Sequence, residues 1–338
     1  MNRTVLGAIL GVLILIAVSG CSFVRDSSTV VGTMVDDAAS EAIVQSLEVA
    51  LDTLPGVEKA TADFDAFGMS GREASVEIRV AHASAGQLVA IADAVRLAFR
   101  DPKLKVTQPV ATVSLAGGSR LVQTAFAMSR ADLAADVTYW VGLIDILKTP
   151  LDMELTGEKG GYVRGIGSPN TAGPSARELR DLWPKVLALA DTSSAASKAL
   201  DLPGLQIGGV LPQIDVLDLL ADVDPALGPA VGFVSRPGIA PTTNLWLWIG
   251  SAPGSITAST DWPQIVGAAR LAIASGLPHL QFSYLANPDS TVSQGAVFFG
   301  PCPFGSTVQD GDTAFAAALR AAGVTLPDGS GAGRCDLR

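Results

Sequence analysis

The spacing of apolar residues predicts alternating helices and strands over most of the chain. Apolar side chains recur every three or four positions in residues 38–54, 84–100 and 130–148, which is the repeat of a helix with one buried face. Between the first two of these helices, residues 57–66 and 74–80 alternate apolar and polar side chains, as half-buried strands do. The first part of the chain therefore has the order helix, strand, strand, helix, and a further strand follows.

The same kind of order recurs further along the chain. Additional strands are predicted at 105–115, 151–155, 162–166, 205–210, 243–250, 280–285 and 296–300, and additional helices at 176–190, 262–275 and 313–322. Helices that alternate with hairpins are typical of the α+β class, in which helices cover one face of a largely antiparallel sheet.

The order of elements, but not the residues, resembles the ferredoxin-like split βαβ module. The resemblance implies two or three tandem α/β sandwich modules. Their expected boundaries are 38–115, 120–210 and 211–325, followed by a glycine-rich tail at 326–338.

The N-terminus has the pattern of an export signal. Arg3 precedes a run of 14 uncharged, mostly apolar residues from Val5 to Val18. A helix needs roughly 20 apolar residues to cross a bilayer, so this run is too short to be a span. A positive start followed by a short apolar run is typical of a secretory signal peptide.

The next residues, Val18-Ser19-Gly20-Cys21, resemble the lipobox of bacterial lipoproteins. The resemblance implies cleavage of signal peptide 1–20 between Gly20 and Cys21, a diacylglycerol on the Cys21 sulfur, and a further acyl chain such as palmitate on the new amino group. The protein would then be anchored on the extracytoplasmic side of the cell membrane, and the small polar residues 21–37 would be a flexible tether. An uncleaved membrane helix and an ordinary signal with a chance cysteine are the alternatives.

Composition and charge limit the classes of partner. The 338 residues are 48% hydrophobic and 17% charged, with 23 basic and 33 acidic side chains and a net charge of −10. This apolar content excludes disorder over most of the chain, and the length suggests about two domains. The excess of acidic residues argues against nucleic acid as a partner, because phosphates require clustered cations.

Two cysteines remain once Cys21 is assigned to the anchor. Cys302 follows a predicted strand, and Cys335 lies in the glycine-rich tail. An even number of cysteines in an exported chain favours a disulfide, which would fix residues 326–338 to the body of the protein. Two free thiols are the alternative.

No catalytic, cofactor or metal site is predicted from the motifs. His82 and His279 are the only histidines, too few for a zinc site built on histidines. The glycines of residues 165–170 lack the third glycine of a dinucleotide-binding fingerprint and are interpreted as a turn. Asp215, Asp218 and Asp222 share one helical face, which we interpret as solvated.

The aromatic residues form the one candidate for a binding face. Trp246 and Trp248 alternate along a predicted strand that is apolar on both sides, and Phe282 and Tyr284 alternate along another. Such a strand must be covered on both faces. Burial between modules is one interpretation, and a binding groove formed by these four aromatics is the other.

The anchor, together with the lack of a catalytic constellation, favours a non-enzymatic binding or scaffold protein of the cell envelope. Its expected partners are the membrane, through the lipid, and another envelope protein. A substrate-binding lipoprotein of a transporter and a hydrolase acting on envelope material are the alternatives.

Overall fold

The computed structural model describes residues 24–68, 71–104, 106–169, 173–227, 230–234, 242–248, 256–277, 280–285, 293–299 and 310–326. The signal peptide, the lipobox with Cys21, the expected disulfide between Cys302 and Cys335, and His279 lie outside the described residues. The predictions made for them stay predictions.

The described residues form twelve strands and seven α-helices. The helices are α1 (Val24–Asp52), α2 (Ala85–Phe99), α3 (Arg130–Leu147), α4 (Ala176–Leu187), α5 (Ile214–Leu227), α6 (Trp262–Ala274) and α7 (Asp310–Ala321). The strands are β1 (Val57–Gly68), β2 (Gly71–Val80), β3 (Gln108–Leu115), β4 (Arg120–Gln123), β5 (Asp152–Glu158), β6 (Gly161–Gly167), β7 (Ser197–Leu202), β8 (Leu205–Gly208), β9 (Ala230–Val234), β10 (Thr242–Trp248), β11 (Leu280–Leu285) and β12 (Ser293–Phe299).

All twelve strands belong to one sheet, and their order in the sheet is their order in the sequence. The strands of each hairpin are antiparallel, as β1 and β2 are, and a helix leads from each hairpin to a parallel neighbour that begins the next, as from β2 to β3. The chain is therefore a series of six strand–strand–helix units preceded by α1. Such repeats stack so that each unit contacts mainly its neighbours.

One face of the sheet is the core, and the helices cover it. A row of paired residues crosses the first eight strands on this face, and every member of the row is buried: Ala60, Ile78, Val113, Leu121, Met153, Ile166, Leu200 and Ile207. Residues on either side of these in each strand point the other way and are exposed or half-buried over much of the sheet. The described residues thus form two layers, and none of their helices is placed on the other face of the sheet.

The crossovers in this sheet are of both hands. Strand direction reverses from one unit to the next, because each unit adds one antiparallel pair. Consecutive helices from α1 to α6 contact each other, so they lie on the same face. A crossover that advances in the same direction on the same face, but from a reversed strand, has the opposite hand. Since about 98% of such connections are right-handed, the left-handed members are an unusual feature of this topology.

The α+β class is confirmed, but the expected division into ferredoxin-like modules is not what the described residues show. In a split βαβ unit another strand separates the two parallel strands, whereas here the strands joined by each helix are direct neighbours. Pairing also continues across the expected boundaries, from β3 to β4 and from β8 to β9. One continuous sheet replaces the separate modules.

Helix α1 begins at Val24, so residues 24–37 are helical, although we expected a flexible tether there. Extending an existing helix costs little, because each added residue gains a hydrogen bond after nucleation. The second half of α1 is held by buried Val44, Leu47 and Leu51, and this half supplies the nucleus.

Acidic side chains from the first and last helices occupy both edges of the sheet. The N–H groups of Ala60 and Ala62 on β1 donate to Asp52 Oδ1 at 2.7 Å and to Glu48 Oε2 at 2.8 Å. On β12, the N–H of Ala296 donates to Asp312 Oδ1 at 2.7 Å. Occupied edge donors cannot pair with a strand of another molecule. Helices α1 and α7 therefore act as the caps of the repeat.

Candidate functional site

A buried network of charged residues interrupts the core under the central strands. Alternation along β6 points Tyr162, Arg164 and Ile166 toward the helices. Arg164 is paired in register with Leu155 on β5 and Lys198 on β7, in a row that is otherwise mostly apolar. The Arg164 side chain is only 3% exposed, so its charge requires partners inside the protein.

Two carboxylates supply these partners. Arg164 Nη1 donates to Asp136 Oδ1 on α3 at 3.0 Å, and the guanidinium makes a bidentate pair with Asp191, at 3.0 Å from Nη1 and 2.7 Å from Nη2. The Tyr162 hydroxyl donates to the second oxygen of Asp136 at 2.7 Å. The ring of Tyr139 lies 4.6 Å from the guanidinium carbon, a cation–π contact. The network fixes α3 and the segment after α4 to the sheet.

The surroundings shift the pKa values of Tyr139, Tyr162 and Asp191 in directions that keep the two phenols neutral and the carboxylate ionised. Burial raises the pKa of Tyr139 to about 12, and burial is also the main reason that the pKa of Tyr162 lies above its usual value. Burial alone would raise the pKa of Asp191, but hydrogen bonds and charge from Arg164 and Lys198 outweigh it, so this pKa is lowered. Asp191 is therefore ionised and both phenols are neutral at physiological pH.

A cavity of about 650 Å³ lies beside the network. Its polar lining includes Asp191 and Lys198, and its apolar lining includes Leu187, Ile207 and Val210. A largely apolar cavity of this volume with a few convergent polar groups has the usual character of a small-molecule site.

The uncovered face of the sheet is rich in carboxylates. By register and exposure, the outward positions of β1 to β8 carry eight acidic residues, Asp63, Asp65, Glu73, Glu77, Asp152, Glu154, Glu158 and Asp201, and three basic residues, Lys59, Arg79 and Arg120. We refer to the outward positions of β1 to β8 as the open face. The net charge of the open face is negative, so this face would attract a basic surface of another protein.

Two glycines on the open face have no conformational or packing reason to be glycine. A Cβ added at Gly165 on β6 or at Gly208 on β8 would meet no atom within 4 Å, and neither residue has a positive φ. Ala199 lies between them on β7, so the middle of the open face is flat. Glycine within a strand costs stability and often marks a place where another molecule approaches the backbone closely.

The strand register separates the four aromatics that the sequence suggested as one binding face. Trp246 and Trp248 pair with Ser283 and Leu285, whereas Phe282 and Tyr284 pair with Leu245 and Leu247. The two pairs of aromatics therefore belong to opposite faces of the sheet. Phe282 is fully buried against Phe315 of α7, with ring centroids 5.8 Å apart, and Tyr284 packs on the same ring at 4.9 Å. Phe282 is thus a core residue, and a role for the tryptophans stays a prediction.

The other residues that the sequence suggested as candidates do not come together as a site in the described part of the chain. Asp215, Asp218 and Asp222 are exposed on α5, in agreement with the solvated face that we expected, and no group of possible metal ligands occurs among the described residues. His82 is exposed in the segment after β2. Gly165 and Gly167 belong to β6 itself rather than to a turn.

Sequence reasoning overlooked Arg164 and Lys198, although one signal was available. The alternation that predicts a strand at 162–166 also puts Arg164 between two inward-facing residues, Tyr162 and Ile166. A charged residue at an inward position predicts a buried ion pair. No comparable signal identifies Asp136 or Asp191, because their partners are distant in sequence.

Comparison of the chain with protein-family models, with curated proteins and with solved structures finds no match. No helix within the described ranges has both the length and the apolar character needed to cross a bilayer. The lipobox resemblance, the open face and the cavity are therefore the features that bear on function.

Proposed function

We propose that this protein is a lipid-anchored component of the cell envelope that acts as a binding or scaffold module, without catalysis, and that a basic protein surface docks on its open face. The observation that carries the proposal is the pair of glycines at Gly165 and Gly208, which lie under open space and reduce the stability of their strands. A partner that approaches the sheet backbone closely gives a reason for them.

The charge on the open face supports the choice of partner. Eight carboxylates and three cations occupy this face, and Glu154 and Asp201 lie beside the flat region, next to Gly165 and Gly167 in register. A basic partner would be attracted to this face and oriented on it, while an acidic one would be repelled.

The anchor is tested by labelling cells with an alkyne-tagged fatty acid. The wild type should incorporate the label and fractionate with membranes, and a Cys21→Ala variant should lose the label. Two or more acyl chains are needed for a stable attachment, so extraction of the wild type should require detergent. Equal labelling of both proteins would refute the anchor.

The docking face is tested with a photo-crosslinking residue at Gln206, an exposed long side chain of the open face that pairs with Asp201 at the border of the flat region, in cells that express the full-length protein. We expect one dominant adduct of fixed mass, with a partner that is basic at its contact surface. Glu154→Arg should abolish the adduct, while Asp222→Arg, which reverses an exposed carboxylate on the helix layer, should leave it unchanged. The absence of an adduct, or equal loss in both variants, would contradict the proposed docking.

A further inference from the structure

The cavity beside Lys198 differs from the open face in location and in character. Most of its lining residues lie on the helix side of the sheet or in the segments after α4 and β8, and two of them, Leu187 at 37% and Val210 at 65%, are exposed apolar side chains. Exposed apolar residues at the mouth of an apolar cavity are typical of a ligand entrance.

The hydrogen-bond acceptors around this cavity are already in use. Asp191 Oδ1 accepts from Arg164, from Lys198 at 3.1 Å and from the Ser193 N–H at 3.3 Å, and Oδ2 accepts from Arg164. Both oxygens of Asp136 also have donors. Every carboxylate oxygen at this end of the cavity therefore already accepts at least one hydrogen bond from the protein.

Donors, in contrast, are in excess. The Lys198 ammonium has three N–H groups, of which one is directed to Asp191, and its side chain is 23% exposed. Two of the three Lys198 N–H groups therefore have no acceptor among the described contacts, so the site favours a molecule that brings one.

The charges are balanced without a ligand. Arg164 and Lys198 face Asp136 and Asp191, two positive charges against two negative ones. A ligand carboxylate would add an uncompensated negative charge to a half-buried site, whereas an uncharged oxygen would not.

We infer that this cavity binds a small apolar molecule with one uncharged carbonyl oxygen, such as a ketone, ester or amide, and that Lys198 donates a hydrogen bond to that oxygen. Leu187, Ile207 and Val210 contact the apolar part. Ala199 and Gly208, which belong to the open face, also line this cavity. The contacts that we assign to the ligand are Leu187, Lys198, Ile207 and Val210, none of which is on the open face, so either proposal can fail without the other.

The experiment is photolabelling of the full-length membrane-anchored protein with benzophenone, which is apolar, carries one carbonyl and inserts into nearby C–H bonds. Mass spectrometry of the digest should find saturable labelling in residues 187–213. Val210→Trp should reduce this labelling at least tenfold by filling the entrance, and Val49→Trp, the same change at an exposed position of α1, should not. Non-saturable labelling, or equal labelling in both variants, would overturn the inference.

Competition distinguishes the ligand class. Dicyclohexyl ketone should compete about tenfold better than dicyclohexylmethane, because it alone offers an acceptor to a charged donor. Lys198→Met should remove this difference while Arg164 still pairs with Asp191. Strongest competition by dicyclohexylacetate, or an unchanged preference in Lys198→Met, would contradict the assignment of an uncharged ligand bound through Lys198.

Discussion

Replacing the glycines of the open face by alanine should stabilise the protein. Gly165 and Gly208 have ordinary strand conformations, and the position of a new Cβ is free of contacts within 4 Å in both cases. Glycine in a strand interior is less stable than alanine by roughly 0.5–1 kcal/mol, because glycine loses more conformational freedom on folding. Each single variant should gain about that amount, and the double variant about 1–2 kcal/mol, since separate sites on different strands add.

The free energy of unfolding can be measured in urea by tryptophan fluorescence, because Trp140 and Trp183 are fully buried. Gly118→Ala is the matched control: Gly118 has a φ of +88° between β3 and β4, where alanine is strained, so this variant should lose about 1–2 kcal/mol. Loss of stability in Gly165→Ala would show that the fold itself requires this glycine, and the argument for a docking surface would fail.

Three further predictions concern the buried network and the sheet edge. Tyr162→Phe should cost about 1.5–3 kcal/mol in urea unfolding, because Asp136 loses a hydrogen bond, whereas Tyr139→Phe keeps the ring on the guanidinium and should cost little; equal losses would refute the assigned bonds. The pKa of Tyr139 is raised to about 12, so its contribution to stability is complete below pH 10 and should be lost as the pH rises through 12; a wild-type denaturation midpoint that is flat over this range would contradict it. Glu48→Met should free the Ala62 N–H on the edge strand and cause concentration-dependent association in light scattering, while Glu48→Gln, which keeps an acceptor oxygen, should stay dispersed.

Most elements could be predicted from the apolar pattern, and several ends agree closely. The prediction of a helix over residues 84–100 corresponds to α2, where Ser84 and Gln87 form a capping box. The predicted helix over residues 130–148 corresponds to α3, which has Ser129 as its N-cap. A long amphipathic helix with capping residues is identified by local sequence alone, because both the apolar repeat and the caps lie within the helix or next to it.

The topology could not be predicted because the pattern missed three strands. β4 has only four residues, β7 places Lys198 at an inward position, and β9 contains a glycine, so none shows a clean alternation. Without β4, β7 and β9, the hairpins that begin three units looked like single strands. The apolar pattern then indicates a repeat of helix, hairpin, helix and strand, which does not contain the continuous order of the sheet.

The open face was also beyond the reach of sequence reasoning. The sequence pattern indicates a turn at residues 165–170, where the glycines follow a predicted strand, precede a predicted helix and lack the third glycine of a dinucleotide-binding fingerprint. Only the register shows that Gly165, Ala199 and Gly208 are neighbours across three strands. The apolar pattern instead suggests a binding face formed by aromatic residues, and the structure places one of them, Phe282, in the core.

The most direct test of the proposed docking surface is the photo-crosslink at Gln206 measured with and without Gly165→Val. A Cβ at Gly165 meets no atom within 4 Å, so the variant should stay folded and anchored, but its side chain would stand between the sheet and a closely approaching partner. The account predicts that Gly165→Val removes the adduct while the variant stays in the membrane fraction and unfolds at a urea concentration no lower than the wild type. An undiminished adduct in a folded Gly165→Val protein would contradict it.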